Sequence, residues 1–513
     1  MKKFLQKNWV IILIFFVAFT FRLWGINAQG QTWDEVAYYD GGKEYITNLY
    51  HFDFASADWH KNFEHPPVGK WLYGFAGILS YKNILHINIG QFTYGRITSA
   101  LMGSLTIVLV YYLVVEIFKS KKIAIIASLI LTFLPVFIAH NKVLGLETPT
   151  ALFYTLAVYL FYLGLTKDKK YFLWTGLATG LAIGTRFNNG HVLFFMIAAT
   201  LCYYYIPWKD LKEKKEFSWW IFLIPIIVGV FIFAIWPWLW TDTINHILQN
   251  KSFLQMQLNC QKSGDCKDWF LGSAVVPPWY FFIYYFFATT PILLFLVFVF
   301  DFFKTIKKPT FGSIYIWLWF LIPFAMSFIG FKQDGMRYVF PVVVPLAIIG
   351  AQGLVAIGEK IKYEKIMYGA FIAYLFFSCL LVHPYYLDYY SETVGGVNKV
   401  YQDKSFEVGW WGEGLDEAYS YLKTQDLNNK RILVLTYPDF SKNKFSGKAD
   451  ITGYTQITNK DTTNYDFDYI VTNPAFYWYK PLSSLKEINW DNYEIVHEVK
   501  VSDSPIVTIY KKK

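Results

Sequence analysis

Eleven apolar runs separated by short polar connections constrain this chain more than any other feature of its sequence. They fall near residues 9–25, 93–118, 122–139, 149–166, 171–187, 190–207, 218–238, 278–302, 312–331, 338–357 and 366–382. Runs of this length approach what an α-helix needs to cross the hydrocarbon of a bilayer, so a polytopic helical protein with about eleven spans is expected. The connections FKSKK, KDKK, KDLKEKK, FKTIKK and EKIKYEK each carry three or four lysines. They alternate with connections that are acidic, mixed or nearly uncharged. Lysine-rich loops stay on the cytoplasmic side, which places Asp34, the loop with two cysteines and everything after residue 383 outside. The opening MKKFLQKNWV resembles a signal peptide, but no small-residue cleavage site follows, so the first run is expected to remain as a span.

The formal charge of +9 does not point to nucleic acid, because the lysines sit in these short clusters between apolar runs. Two outside regions are long enough to carry structure. Residues 26–92 form a first outer loop with amphipathic pieces (Tyr38, Tyr45, Ile46, Leu49) suited to a membrane surface. Its second half, PPVGKWLYGFAGILSY, is apolar but too short for a full span and reads as a re-entrant or interfacial helix. Residues 383–513 are polar. EGLDEAYSYLK reads as a helix, and RILVLTY, DYIVTN, YEIVHEV and PIVTIYK read as strands, giving a small extracytoplasmic α/β domain after a membrane domain of residues 1–382.

Cys202 and Cys379 lie inside apolar runs and read as packing residues. Cys260 and Cys266 lie together in NCQKSGDC, where a disulfide and a pair of free thiols are both open readings.

The stretch TWDEVAYYDGGKEYI sets Asp34 and Glu35 side by side after the first span. Thr32 to Glu35 matches a capping box, in which Thr32 caps a helix and Glu35 reaches back to the backbone. That reading accounts for Glu35 and leaves Asp34 free for chemistry. FEHPPVGKW brings Glu64, His65 and Lys70 to a turn that two prolines make rigid. Arg96, Arg186, Lys332 and Arg337 stand at the outer ends of spans, Arg22 lies within the first, and Glu147 opens the fourth. Each cation alone fits interfacial snorkelling. Together with acids on the same side they fit a polar pocket, and the arginine fork suits a phosphate. One carboxylate acting as base toward a hydroxyl, with cations around a departing phosphate, meets the needs of sugar transfer from a lipid phosphate. A phosphate leaving group needs no general acid, so paired carboxyl groups of the glycosidase kind are not required.

The order DE, HPPVGK, GRITSALMGSLTI resembles membrane glycosyltransferases of the GT-C class, with protein O-mannosyltransferases and lipid A aminoarabinose transferases as the nearest groups. HPPVGK is similar to HPPLGK of the former. FEHPPVGKW is similar to FEKPPAGYW of the latter, with His65 where lysine stands. AHNKVLGLETPTALF, GLATGLAIGTRFNNG (Arg186 in place of a usual lysine), PWLWTDTINHILQ, VPPWYFFIYY, FKQDGMRYVFPVVVPLAI and the tail stretch from YYSETVGGVNKV onward extend the resemblance through most of the chain.

The resemblance implies an inverting glycosyltransferase that takes a mannose-like hexose or a modified pentose from a polyprenyl-phosphate donor to a lipid, glycan or protein hydroxyl. It implies Asp34 as general base. Glu35, Glu64 and Glu147 become acceptor-side or supporting acids, and His65, Lys70, Arg96, Arg186 and Arg337 surround the donor phosphate. No closed ligand set is visible, so no required divalent metal is expected, although Glu64 and His65 offer two ligands. The implied location is the cell membrane, multi-pass, with the site outside. The rival from another class is a lipid or sugar transporter, which calls for polar residues deep in the spans and pseudo-symmetric halves.

Overall fold

A computed structural model describes residues 2–81, 90, 92–211, 216–441, 449–454, 466–480, 482, 485 and 488–513. The lysines of the 209–215 connection beyond Leu211, and residues 82–89 and 91 of the segment expected to be the first outer loop, lie outside the described residues. The chain divides into two compact units. The first comprises Met1–Trp24, Asp34–Cys266 and Pro277–Phe377, and the second comprises Gly25–Trp33, Lys267–Val276 and Ser378–Lys513. The sequence reading assigns only residues 383–513 to the second body; the structure adds two short segments from far earlier in the chain.

The first unit is helical. Its helices are α1 (Lys2–Leu23), α2 (Glu35–Tyr50), α3 (Val68–Tyr81), α4 (Thr93–Phe118), α5 (Lys121–Thr132), α6 (Pro135–Asn141), α7 (Glu147–Thr166), α8 (Tyr171–Thr185) and α9 (His191–Tyr205). There follow α10 (Leu223–Ile235), α11 (Trp238–Thr241), α12 (Thr243–Ser263), α13 (Phe281–Thr289), α14 (Ile292–Lys307), α15 (Phe311–Met326), α16 (Val343–Gly358) and α17 (Glu364–Val382).

All eleven apolar runs are helical, but fewer are spans by length and composition. α4, α7, Arg337–Gly358 and α17 qualify alone, and two bent pairs raise the number to six. The bends fall where proline interrupts the ladder: α5 and α6 meet at 62° before Pro135, and α13 and α14 at 118° around Pro291. α8 and α9 have 15 residues each, which at about 1.5 Å per residue is roughly 22 Å, short of the ~30 Å hydrocarbon thickness. The chain is thus a multi-pass membrane protein with several apolar helices, and among the described residues four to six of the eleven expected spans meet both criteria.

The segment between α1 and α4 folds into α2 and α3, which pack against each other. Their backbones touch at Gly42 and Gly74: a Cβ on Gly42 would lie 2.7 Å from the Gly74 nitrogen and 2.8 Å from the Lys70 carbonyl oxygen. Only glycine permits that approach.

The second unit is built on a mixed five-stranded sheet. It has a separate hairpin, β1 (Asp268–Phe270) and β2 (Ser273–Val275), turned by Leu271 and Gly272, both at positive φ. The sheet comprises β3 (Lys430–Leu435), β4 (Ala449–Gly453), β5 (Tyr469–Thr472), β6 (Tyr493–Val501) and β7 (Ser504–Lys512), in the order β4-β3-β5-β7-β6. β3 pairs parallel with β4 and β5, while β7 runs antiparallel to β5 and β6. The four strands and the helix read from sequence all form, the helix as Leu415–Lys423. β4, whose stretch ADITG is short and carries glycine and aspartate, was not among them.

Candidate active site

Asp34 and Glu35 are consecutive, and helix geometry separates them by about 100° around the axis. α2 starts with Asp34 at its N-cap, in helical backbone conformation and with no capping bond from its side chain. The expected start with Thr32 as cap is therefore corrected: the helix begins two residues later, and the Glu35 carboxylate is engaged elsewhere. Arg96, in the first turn of α4, grips Glu35 with both prongs, Nε to Oε1 at 2.8 Å and Nη2 to Oε2 at 2.6 Å. The Leu144 backbone N–H donates to the same Oε1 at 3.1 Å. Both side chains are buried, so the pair is an internal tie between α2 and α4.

Asp34 turns the other way, onto Arg337. That guanidinium spends its whole fork on carboxylates: Nη2 donates to Asp34, Nη1 to Asp334 Oδ2 at 3.0 Å and Nε to Glu147 Oε1 at 2.9 Å. Arg186, just past the end of α8, donates from Nη1 to the same Glu147 oxygen at 3.0 Å and to the Arg337 carbonyl at 3.3 Å. Its plane lies over the Tyr338 ring, 4.7 Å from the centroid.

Glu147 is fully buried at the first position of α7, where the helix dipole favours a negative charge. It acts as the pivot that orients both guanidinium groups. The Asp34 and Asp334 side chains remain 18% and 16% exposed while Arg337 is 5% and Glu147 0%, so the two aspartates form the accessible face of the cluster. Burial raises the Asp334 carboxyl above the ordinary aspartate range; Arg337 opposes that shift and Asp34 adds to it. One donor in this charged cluster is left over. The buried Arg186 Nη2 has no hydrogen-bond partner among the described residues, and neither has Glu147 Oε2.

The residues read from sequence thus fall into three sets. Asp34, Glu147, Arg186 and Arg337 come together. Glu35 and Arg96 form their own closed pair. Lys70 is buried and donates to the carbonyls of Lys61 (3.2 Å), Asn62 (2.8 Å) and His65 (2.8 Å), using all three N–H bonds to hold the turn before α3. Burial pushes its amine down to about 7. Glu64 accepts from Asn62 Nδ2 at 2.8 Å. His65 is half-buried beside Tyr38, 6.0 Å between ring centroids. Burial, with the charges of Arg186, Lys70 and Arg337, holds its imidazole well below the usual range, so it is neutral at pH 7.

Cys260 and Cys266 are joined as a disulfide with Cα atoms 5.2 Å apart. Arg22 is buried and bonds to Asn141 Oδ1 at 2.8 Å and the Leu131 carbonyl at 3.3 Å, tying α1 to the α5–α6 bend. Among the described residues, no three His, Cys, Asp or Glu side chains gather as a metal ligand set. Asp334 was not singled out from sequence. Its signal is the acid-to-arginine spacing of three in DGMR, beside a D-G turn.

Residues 11–248 match the family model described as dolichyl-phosphate-mannose-protein mannosyltransferase. An uncharacterized protein of Aquifex aeolicus (strain VF5) is 27% identical over 260 residues, 49% of this chain and 46% of that one. Dolichyl-phosphate-mannose–protein mannosyltransferase 1 of Schizosaccharomyces pombe (strain 972 / ATCC 24843) is 26% identical over 253 residues, 44% of this chain and 27% of its own. Each match therefore spans less than half of the relative's length. The crystal structure of ArnT from Cupriavidus metallidurans in the apo state superposes with a TM-score of 0.53 at 13% identity, covering 98% of both chains. The form bound to undecaprenyl phosphate gives 0.51 over the same share. At that identity the likeness is one of fold.

Proposed function

With residues 11–248 matching the dolichyl-phosphate-mannose-protein mannosyltransferase family model, we propose that this chain is a GT-C membrane glycosyltransferase that moves a sugar from a polyprenyl-phosphate donor to an acceptor hydroxyl. The transfer takes place outside the cytoplasm, and the sugar is a mannose-like hexose or a modified pentose. The observation that carries the reading is the spare, buried Nη2 donor of Arg186 in a cluster that also presents the accessible carboxylate of Asp34. A buried N–H without a partner is costly, and a phosphate oxygen is the acceptor that an arginine fork fits best. The shared fold with a protein crystallised with undecaprenyl phosphate supports a polyprenyl phosphate as donor.

The chemistry follows from the charges. Asp34 accepts the proton of the acceptor hydroxyl as its oxygen attacks the anomeric carbon. The carbon–oxygen bond to phosphate breaks with its electron pair going to the phosphate, and the configuration at that carbon inverts. Arg186 and Arg337 receive the charge that accumulates on the phosphate. As Arg337 Nη2 is drawn toward the developing phosphate charge, the Asp34 carboxylate is released from its partner to take the proton. Glu147 keeps the two guanidinium groups aligned throughout. Glu35, Arg96 and Lys70 hold the helices that carry the site.

The test is transfer by purified protein given polyprenyl-phosphate-linked labelled mannose, or other labelled sugars, with peptide and membrane acceptors. Transfer that is lost in Asp34→Asn and in Arg337→Ala supports the reading. Movement of intact donor across a vesicle membrane without any transfer favours a transporter and overturns it.

A further inference from the structure

α12 is an unusual helix in the first unit: of its 21 residues only Asn250 is buried. It is held at its ends. At its start, Asp242 caps the Asn245 N–H, and the His246 ring stacks on Trp238 with centroids 4.2 Å apart. At its end, the Gln261 side-chain amide grips the backbone of Lys332 on both sides. Nε2 donates to the Lys332 carbonyl at 2.5 Å and Oε1 accepts from the Lys332 N–H at 3.3 Å. Residues 331–333 have neither helical nor strand structure. Their backbone therefore takes from Gln261 what a regular ladder would otherwise supply.

Two residues on, the chain makes a tight turn through Asp334 and Gly335, both at positive φ, and delivers Arg337 to the cluster. Gln261 itself sits inside the covalent loop of residues 260–266. The disulfide joins Cys260 to Cys266, and the Cys260 carbonyl accepts from the Asp265 and Cys266 N–H groups, both at 3.1 Å. A primary amide can form both bonds only while its backbone is held at a fixed distance and angle from residue 332.

We infer that Gln261 is a positioning residue for Arg337, and that the Cys260–Cys266 disulfide is the brace that lets it act. The disulfide keeps the last turn of α12 closed, that turn presents the amide, and the amide sets where the turn through Asp334 begins. The claim about Arg337's work rests on the proposed transfer reaction; the claim about the clamp does not.

The experiment therefore has two readouts. Hydrogen exchange across residues 330–337 is followed in the intact protein, in Gln261→Ala, in Gln261→Glu, in Cys260→Ser/Cys266→Ser and in the intact protein under a phosphine reductant. Protection should fall about tenfold in Gln261→Ala, in the cysteine variant and on reduction. Gln261→Glu keeps the acceptor for the Lys332 N–H and should retain more protection than the alanine variant. Reduction should cause no further loss in Gln261→Ala, because both changes release the same clamp.

Unchanged exchange in Gln261→Ala, or losses from reduction and Gln261→Ala that multiply, overturns the inference. Transfer of labelled sugar is the second readout. A roughly tenfold slower turnover that follows the loss of protection is expected, since small displacements of a charged group at a reacting centre have effects of this order or larger. Altered exchange with no transfer by any form, the intact protein included, sinks the proposed reaction and leaves the clamp standing.

Discussion

Asp34 and Glu35 are the same chemical group on neighbouring residues, yet one belongs to a tie and the other to a site. Glu35 is completely buried and saturated, with two bonds from Arg96 and one from a backbone N–H. Asp34 keeps an accessible edge and shares its arginine with two other carboxylates. A saturated pair has nothing left to offer a substrate. A contested guanidinium can change partners, which is what a charge-transferring step needs. In the proposed reaction, catalytic capacity would follow from incomplete satisfaction rather than from the identity of the residue.

The comparison is sharpest at Asp34 itself. Asp34→Asn should slow transfer by about a thousandfold, the order expected for losing a general base, with little change in thermal stability. Fast transfer by the Asp34→Asn variant would break the distinction. Glu35→Gln should do the reverse: it leaves the Arg96 charge buried without its counter-charge, at a cost of about 3 kcal/mol or more in stability. A thermal melt of the detergent-solubilised protein reads that loss, and Glu35→Gln/Arg96→Met should recover part of it. Arg337→Lys keeps the charge but not the planar fork. Transfer should fall roughly tenfold to a hundredfold while the fold persists, as read by steady-state rates at saturating donor.

The smallest effect is expected in the second unit, where two carboxyl groups are buried with no cation paired to them among the described residues. Asp388 Oδ1 accepts from the Gly409 N–H at 2.8 Å and Glu413 Oε2 from the Trp411 N–H at 2.9 Å. Burial pushes Glu413 up to about 7. Burial, and then the charge of Glu413, hold Asp388 well above the usual range. The folded state thus binds protons that the unfolded chain releases near pH 4. Stability is full below that point and declines as pH rises through about 7. Melting of this unit should drop by a few degrees between pH 5 and pH 8, and Glu413→Gln should flatten the slope. A slope that survives the substitution would place its origin elsewhere.

Much of this was readable in advance. The apolar runs all became helices, and the short β-branched, apolar stretches in RILVLTY and PIVTIYK marked two strands of the sheet. The number of spans was less readable. Hydropathy reports that a segment is apolar, while Pro135 and Pro291 decide that it bends. The site was half legible. Asp34, Glu147, Arg186 and Arg337 were all visible as costly charges at helix ends, but Asp34 and Arg337 are 303 residues apart. Which acid meets which base is settled by packing, not by local pattern. Arg96 and Lys70 looked like phosphate contacts for the same reason, and packing gave them Glu35 and three carbonyls instead. Helical geometry did hold one unused clue: adjacent residues on one turn cannot both face the same pocket.

The seam at Gly42 and Gly74 has a mechanical meaning. Where two backbones touch, neither helix can slide, yet either can pivot. That makes the crossing a fulcrum, with the first two turns of α2 as a lever arm of about 12 Å ending at Asp34. A single methyl inserted at Gly74 would tip that lever and displace Asp34 without altering one charged residue. The reach of the proposed proton acceptor is thus adjustable from a spot that carries no chemistry of its own.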